Sequence, residues 1–358
     1  MEKTRHILAI NVGSTSTKVA FYRDAERLVQ ESITYSAADL SRYEGLGDQL
    51  PLREEGLRKF IETNAIDMSK VDLVISRGGL GKPGPAGAYT IDQAMCDDLM
   101  EGRYGKHPSA LGPSMALGLA RQHRTPAVVI DPPSTDEFQP LARVSGLPEI
   151  ERKSAFHALN QKAAARKAAR QMSRRYEDVN LVVAHLGGGI TIGAHCKGLV
   201  IDCTHGLSEG PFTPERAGAL PTQDLLELSQ SGRLSPKDLA RKLVGQGGLA
   251  AYLGTTNAVE VEGTVKKGDA KAELIYRAMA YQIAKDIGAM ATVLEGKVDG
   301  VVLTGGLAHS EMLTGWVRQR TAFIAPIFVF PGEDEMEAMA EGALRILRGE
   351  DKPREYQP

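Results

Sequence analysis

Between two apolar segments near the start of the chain stands Gly13-Ser14-Thr15-Ser16-Thr17-Lys18, a glycine turn crowded with hydroxyls and ended by a cation. A close bend through Gly13 lets backbone N–H groups and the Ser14, Ser16 and Thr17 hydroxyls face an anion, and Lys18 adds positive charge, which is the chemistry of a phosphate cradle. The spacing differs from the glycine-rich loop in which a helix follows the lysine. Residues after Lys18 alternate and favour β-structure, so the pattern predicts a hairpin with a second strand. An ordinary polar hairpin would share this local pattern, so the weight falls on what accompanies it.

The layout recurs in the second half of the chain. Leu181-Val182-Val183-Ala184-His185-Leu186 leads into Gly187-Gly188-Gly189 and a second apolar strand, and a polar turn at Lys197-Gly198 leads to a third. Matching Ala9 to Ala184 places Gly13 on Gly188. Two copies of one nucleotide-cradling unit imply two similar domains facing each other across a cleft. A third strand-plus-glycine element, Gly300 to Gly306, suits the adenosine end of a nucleotide, with Gly305 and Gly306 in close approach.

The elements needed to carry these turns fit the chain's size and composition. At 358 residues, two domains are the default, and 42% hydrophobic with 25% charged residues is ordinary for a globular protein. A net charge of −2 offers no electrostatic reason to expect nucleic acid. Cys96, Cys196 and Cys203 match neither a CxxC nor a zinc pattern, so they read as structural thiols in a reduced compartment. No signal-peptide core and no apolar run of membrane-spanning length is visible, and the expectation is a cytoplasmic protein without membrane contact.

Along the chain, helices are expected at 54–64, 110–123, 159–176, 222–231, 236–244, 270–295 and 335–347, and strands at 71–75, 127–130 and 328–330, an α/β alternation. The basic helix 159–176 reads as a solvated face. The glycine- and proline-rich stretch 78–87 must be a loop. A junction near 148–153 divides domains 1–150 and 151–340, with residues 341–358 packing on the first domain and 353–358 frayed.

With these residues in place, the chain resembles the acetate kinase and butyrate kinase family of the larger superfamily of sugar kinases, actin and heat-shock chaperones. The resemblance rests on Asn11 to Lys18, Ser76-Arg77-Gly78-Gly79, Ile130-Asp131-Pro132-Pro133, Ala155-Phe156-His157, His185 to Gly189, Glu209-Gly210 through Arg216, and Thr304-Gly305-Gly306. It implies an α/β, two-domain actin-like ATPase fold of duplicated ribonuclease H-like domains. It also implies ATP-dependent, magnesium-assisted phosphorylation of a short-chain carboxylate to an acyl phosphate, and the reverse, in a homodimer or larger assembly. The segment 131–138 resembles the butyrate kinase form.

A carboxylate is ionised at neutral pH and needs no general base; the reaction needs cations and dipoles that hold two anions together. By the resemblance, Arg77 grips the substrate carboxylate and Arg216 contacts the transferring phosphoryl group. His185 donates a hydrogen bond to that group, with His157 near the active site, and Asp131 organises the metal or the attacking carboxylate. Asn11, Gly13, Ser14, Ser16, Thr17, Lys18 and Gly187 to Gly189 surround the phosphates of ATP or ADP. Mg2+ is held by those phosphates with Asn11 and Glu335, although the crowd of acids around Glu335 leaves its register open and a plain acidic helix start competes. His6, His107, His123, His195, His205 and His309 carry no comparable motif and are assigned no role.

The family's acetate kinases carry bulky valines after the arginine, where this chain has Gly78 and Gly79. Smaller residues there predict room for a longer acyl tail, hence butyrate or isobutyrate. The alternatives are an acetate or propionate kinase, and a non-enzymatic actin- or chaperone-like nucleotide switch.

Overall fold

A computed structural model describes residues 3–357. Its contacts divide the chain into two units, 1–135 with 334–358, and 136–333. The break thus falls before Asp136 rather than near residue 150. Arg143 grips Asp136 with both guanidinium nitrogens (2.8 and 2.9 Å), and Arg152 ties itself to Asp202 and the Cys203 carbonyl (both 3.0 Å), so the presumed junction is bound to the second unit.

The first unit holds a six-stranded sheet of β1 (His6–Val12), β2 (Ser16–Arg23), β3 (Glu26–Thr34), β4 (Leu73–Ser76), β5 (Ala88–Thr90) and β6 (Ala127–Ile130), ordered β3-β2-β1-β4-β6-β5. The first three strands form an antiparallel meander, and β4 and β6 continue parallel to β1. Apolar side chains of Leu8, Ile10 and Val74 pack on helices Leu50–Thr63 and Leu111–His123 through Leu57, Phe60, Leu111 and Met115. Helix Glu335–Leu347 contacts β1 and β4. There Gly342 admits Ile130, whose side chain a Cβ at that position would overlap.

The second unit holds β7 (Asn180–Leu186), β8 (Ile190–Cys196), β9 (Leu199–Cys203), β10 (Gly300–Gly305) and β11 (Ile327–Pro331), ordered β11-β10-β7-β8-β9. Again a three-stranded meander is extended by parallel strands. Tyr276, Met279, Ile283, Ile287, Met290 and Leu294 of the long segment around helix Ala270–Val293 are buried against it, as their three- and four-residue steps require.

The duplication is real, but its register differs by one from the sequence match. Gly13 donates its N–H across the first turn to Ser16 (2.8 Å), and Gly187 does so across the second to Gly189 (3.1 Å), making Gly13 the counterpart of Gly187. Asn11 therefore corresponds to His185. The second turn is one residue shorter, which hides this offset in the linear sequence.

Two other expectations change. The basic helix is Ala158–Gln171, ending ahead of Ser173 in the left-handed region; its Lys162 is buried and paired with Glu137 (2.8 Å) rather than solvated. Residues 353–357 are not frayed. Arg354 pairs alongside β5, accepting from Thr90 and donating to Ala88 (both 2.9 Å), whereas Pro358 lies outside the described residues. Among the described residues, no helix is long and apolar enough to cross a membrane.

Candidate active site

In the first unit, the penultimate residue of β1 and the end of β4 bring two expected site residues to a third from helix Glu335–Leu347. Asn11 Nδ2 donates to Glu335 Oε2 (2.6 Å), and Arg77 Nη2 lies 3.1 Å from Glu335 Oε1. Glu335 is therefore the acid that faces these groups. Glu337 instead pairs with Arg27, and Asp334 begins the helix in the left-handed region. Asn11 is buried, and it sits directly opposite Lys18 in the β1–β2 ladder, so the lysine shares its face of the sheet. Glu335 and the amide oxygen of Asn11 are hard oxygen donors, a set that fits Mg2+ completed by phosphate and water. Among the described residues, no group of three His, Cys, Asp or Glu is arranged to hold a metal.

The turn after β1 is braced from beneath by a residue with no motif of its own. Buried Arg53 donates to the carbonyls of Ser14 (2.9 Å) and Ser16 (3.2 Å) and to Thr17 Oγ1 (3.1 Å), while Tyr35 covers its guanidinium. Thr17 is thus corrected: its hydroxyl serves this internal brace and not an anion. Ser14 is exposed and Ser16 half-buried. Gly13 is outside the left-handed region, and a Cβ there would meet nothing closer than Ser16 at 3.6 Å. No internal packing demands a glycine at this point.

Asp131 follows β6 with a φ of 40°, an uncommon conformation for a non-glycine residue, and is buried. Gly87 and Asp131 hold each other in place: the Asp131 carboxylate accepts from the Gly87 N–H (2.8 Å), and its own N–H donates to the Gly87 carbonyl (3.0 Å).

In the second unit, the glycine turn 187–189 gathers the remaining residues. The Arg216 guanidinium lies so close over Gly189 that a Cβ there would overlap Nη1. Arg216 Nη1 donates to the Gly206 carbonyl (2.7 Å), Nη2 is 4.0 Å from Glu215, and Nε is buried without a hydrogen-bond partner. Burial pulls its pKa below the usual value, with Glu215 opposing. The Arg216 loop is secured by Thr213, which donates to the Gly188 carbonyl (2.6 Å), and by Glu209, held through both oxygens by Arg152 (2.9 and 3.0 Å). Gly189→Ala should therefore leave stability nearly unchanged, because the displaced guanidinium can swing aside. It should lower catalytic turnover on the order of a hundredfold, the cost of losing one aligned charge donor; paired melting and rate measurements check this.

His157 and His185 stack at 3.7 Å with an interplanar angle of 13°. Their hydrogen bonds settle their tautomers. Asn160 Nδ2 donates to the Glu333 carbonyl (2.7 Å), which can only accept, so Asn160 turns Oδ1 toward His185 Nδ1 (2.7 Å), and that nitrogen carries a proton. Gln161 Nε2 donates to the Thr191 carbonyl (3.0 Å), so its Oε1 accepts from His195 Nε2 (3.0 Å). His195 is kept neutral by burial first and by Lys162 and Arg166 next, and its Nδ1 accepts from the Tyr176 hydroxyl (2.7 Å). Thr191 Oγ1 accepts from Gln161 (2.9 Å) and from the backbone N–H of His157 (3.4 Å), which leaves its own proton for His157 Nδ1 (2.8 Å). Neutral His157 thus carries its proton on Nε2, whereas His185 can donate from Nε2 only as the imidazolium. His195, assigned no role from sequence, is the buried end of this chain. Spacing offered no sign of Gln161 or Thr191.

Gly305, with a φ of 89°, packs against the backbone of Leu186 so tightly that a Cβ would overlap its carbonyl oxygen; a Cβ at Gly306 would meet nothing within 4 Å. Gly305 is needed to close the sheet beside the turn, and Gly306 leaves open space. The cysteines are not disulfide-bonded, and burial pushes the Cys96 thiol up to about 11, consistent with inert packing.

The model of the acetokinase family matches residues 149–320, somewhat less than half of the chain. The acetate kinase of Porphyromonas gingivalis is 17% identical, with a TM-score of 0.78 over 96% of this chain and 100% of that one. A propionate kinase from Francisella tularensis is 19% identical with a TM-score of 0.74, covering 94% and 98%. An acetate kinase from Entamoeba histolytica is 16% identical with a TM-score of 0.75, covering 94% and 98%. The chain therefore has the α/β, actin-like fold of these kinases.

Proposed function

We propose that this protein transfers the γ-phosphoryl group of ATP to a short-chain carboxylate, with butyrate or isobutyrate preferred, and catalyses the reverse transfer from acyl phosphate to ADP. The observation that carries this reading is Arg216: a half-buried guanidinium, its Nε–H buried and unmatched, beside a triple-glycine turn calls for an anion. The acetokinase match covers that residue.

In this reading Arg77 holds the substrate carboxylate, which is already a nucleophile and surrenders no proton. One of its oxygens attacks the γ-phosphorus, the bond to the ADP oxygen breaks, and ADP leaves with that electron pair. Arg216 and the Nε2 proton of His157 bear on the equatorial oxygens as charge spreads over them; His185 joins them when protonated. The turn at 13–16 and that at 187–189 present backbone N–H groups to phosphates, with Lys18 beside the first. Asn11 and Glu335 would hold Mg2+, which supplies further neutralisation of phosphate charge. Asp131, locked to Gly87, orients the loop entered by Pro132.

Acetate or propionate as the preferred acid is the second reading, favoured by the names of the structural relatives. Incubation with ATP, Mg2+ and each acid in turn, with hydroxylamine trapping of acyl phosphate, tests both. Butyryl hydroxamate formed at low acid concentration in clear excess over acetyl hydroxamate is expected. Equal rates would reject the four-carbon preference, and no hydroxamate with any acid would reject the kinase and favour a nucleotide switch.

A further inference from the structure

Arg53, in the first turn of helix Leu50–Thr63, is completely buried, yet every partner of its guanidinium is a neutral oxygen. Nη2 donates to the Ser14 carbonyl (2.9 Å) and to Gln49 Oε1 (3.1 Å), and Nη1 to the Ser16 carbonyl (3.2 Å) and Thr17 Oγ1 (3.1 Å). Its Nε is buried without a hydrogen-bond partner. A guanidinium stays charged in a protein, and a buried charge is costly unless an opposite charge stands near it. Among the described residues, no carboxylate forms an ion pair with Arg53; the Tyr35 ring covers it instead, 4.8 Å away.

These bonds set the direction of one peptide. In a planar trans unit the C=O and N–H point opposite ways, so a Ser14 carbonyl held to Arg53 turns the Thr15 N–H away from the guanidinium. Ser14 and Thr15 are both exposed, and the Thr15 carbonyl is in turn held by the Tyr35 N–H (2.9 Å). Among the described residues, neither the Ser14 nor the Thr15 N–H donates a hydrogen bond.

We infer that Arg53 is a positioning residue for nucleotide: it fixes the Ser14–Thr15 peptide with its N–H toward the phosphates, and its unpaired charge is completed by the anion that binds the turn. The inference rests on the ATP-dependent reading for the identity of that anion, and it deepens the reading by naming the residue that holds the cradle in its binding form. Arg53 acts through the turn and touches no phosphate itself.

The test measures binding of ADP with Mg2+ to the full chain by calorimetry, and follows amide hydrogen exchange residue by residue with and without that nucleotide. In wild type, saturating ADP should slow exchange at Thr15 about tenfold or more. Arg53→Met keeps the length and removes the guanidinium. Its ADP affinity should fall about 10- to 100-fold, the range for one hydrogen bond to a charged group, with the KM for the carboxylate unchanged. Arg53→Lys keeps the charge but cannot span two carbonyls, and should recover only part of the affinity; it also serves if Arg53→Met does not fold. A brace of structural value alone would lower the melting temperature and leave the folded protein's ADP affinity at the wild-type value. That result in either variant overturns the inference, as does bound ADP that leaves Thr15 exchange unchanged in wild type. Wild type that binds ADP with Thr15 protected but forms no acyl phosphate would overturn the kinase reading and leave the role of Arg53 standing. Acyl phosphate formed by Arg53→Met at wild-type ADP affinity would do the reverse, and no ADP binding by wild type would overturn both.

Discussion

Arg216→Ala should lower kcat by about a thousandfold or more, with little change in the KM for the carboxylate. An arginine that meets charge developing on a transferring phosphoryl group contributes on that scale, because its effect is realised only in the transition state. The structure sharpens this expectation. The guanidinium is already seated over Gly189, half-satisfied by the Gly206 carbonyl, and its Nε is buried and unbonded, so little reorganisation is left for the reaction itself. Arg216→Lys should recover little, since an ammonium cannot reproduce the planar fork that spans Gly206 and an incoming oxygen. Thermal unfolding should be nearly unchanged in either variant, and a loss smaller than tenfold in single-turnover rate would remove Arg216 from the chemistry.

Arg77→Ala should act on the other reactant. Removing one partner of a desolvated, hydrogen-bonded charge pair costs about 2–5 kcal/mol, or a loss of roughly 30- to several-thousandfold in kcat/KM for the acid. Glu335, which Arg77 contacts at 3.1 Å, would also lose its cationic neighbour and keep only the Asn11 amide. Arg77→Ala should therefore raise the KM for the carboxylate far more than that for ATP, and Glu335→Gln should show the opposite bias by weakening the binding of the Mg2+ that accompanies the nucleotide. Initial rates with each substrate varied in turn separate the two patterns.

Much of this scaffold was legible because its signals are local. Alternation around Gly13 and Gly187, the spacing from Met279 to Leu294, and the acidic start of the helix at Glu335 each depend on neighbours a few residues away. What escaped depends on distant partners. Arg53 braces the first turn from another element, and Gln161 reaches Thr191 and His195 across a helix–sheet contact. Neither residue type announces such a role. Thr17 illustrates the converse: its hydroxyl looked like part of the anion cradle, yet strand alternation turns it inward to Arg53. Lys162 was read as solvated because charge on a helix usually is, and Glu137, the Gly198 carbonyl and the Tyr176 ring make its burial tolerable. Arg354 lay in a segment whose composition suggests fraying, and its pairing with β5 is a long-range event that no local pattern encodes.

The central claim is that an oxygen of the organic acid itself attacks the γ-phosphorus of ATP. Purified protein given butyrate labelled with 18O in both carboxyl oxygens, together with ATP, Mg2+ and hydroxylamine, tests it directly. Attack by the acid forms a C–O–P bridge with the labelled oxygen, and hydroxylamine then cleaves the carbonyl side and releases phosphate bearing that oxygen. The account predicts singly 18O-labelled phosphate in a one-to-one ratio with butyryl hydroxamate. Unlabelled phosphate without hydroxamate would show water as the acceptor and contradict the account.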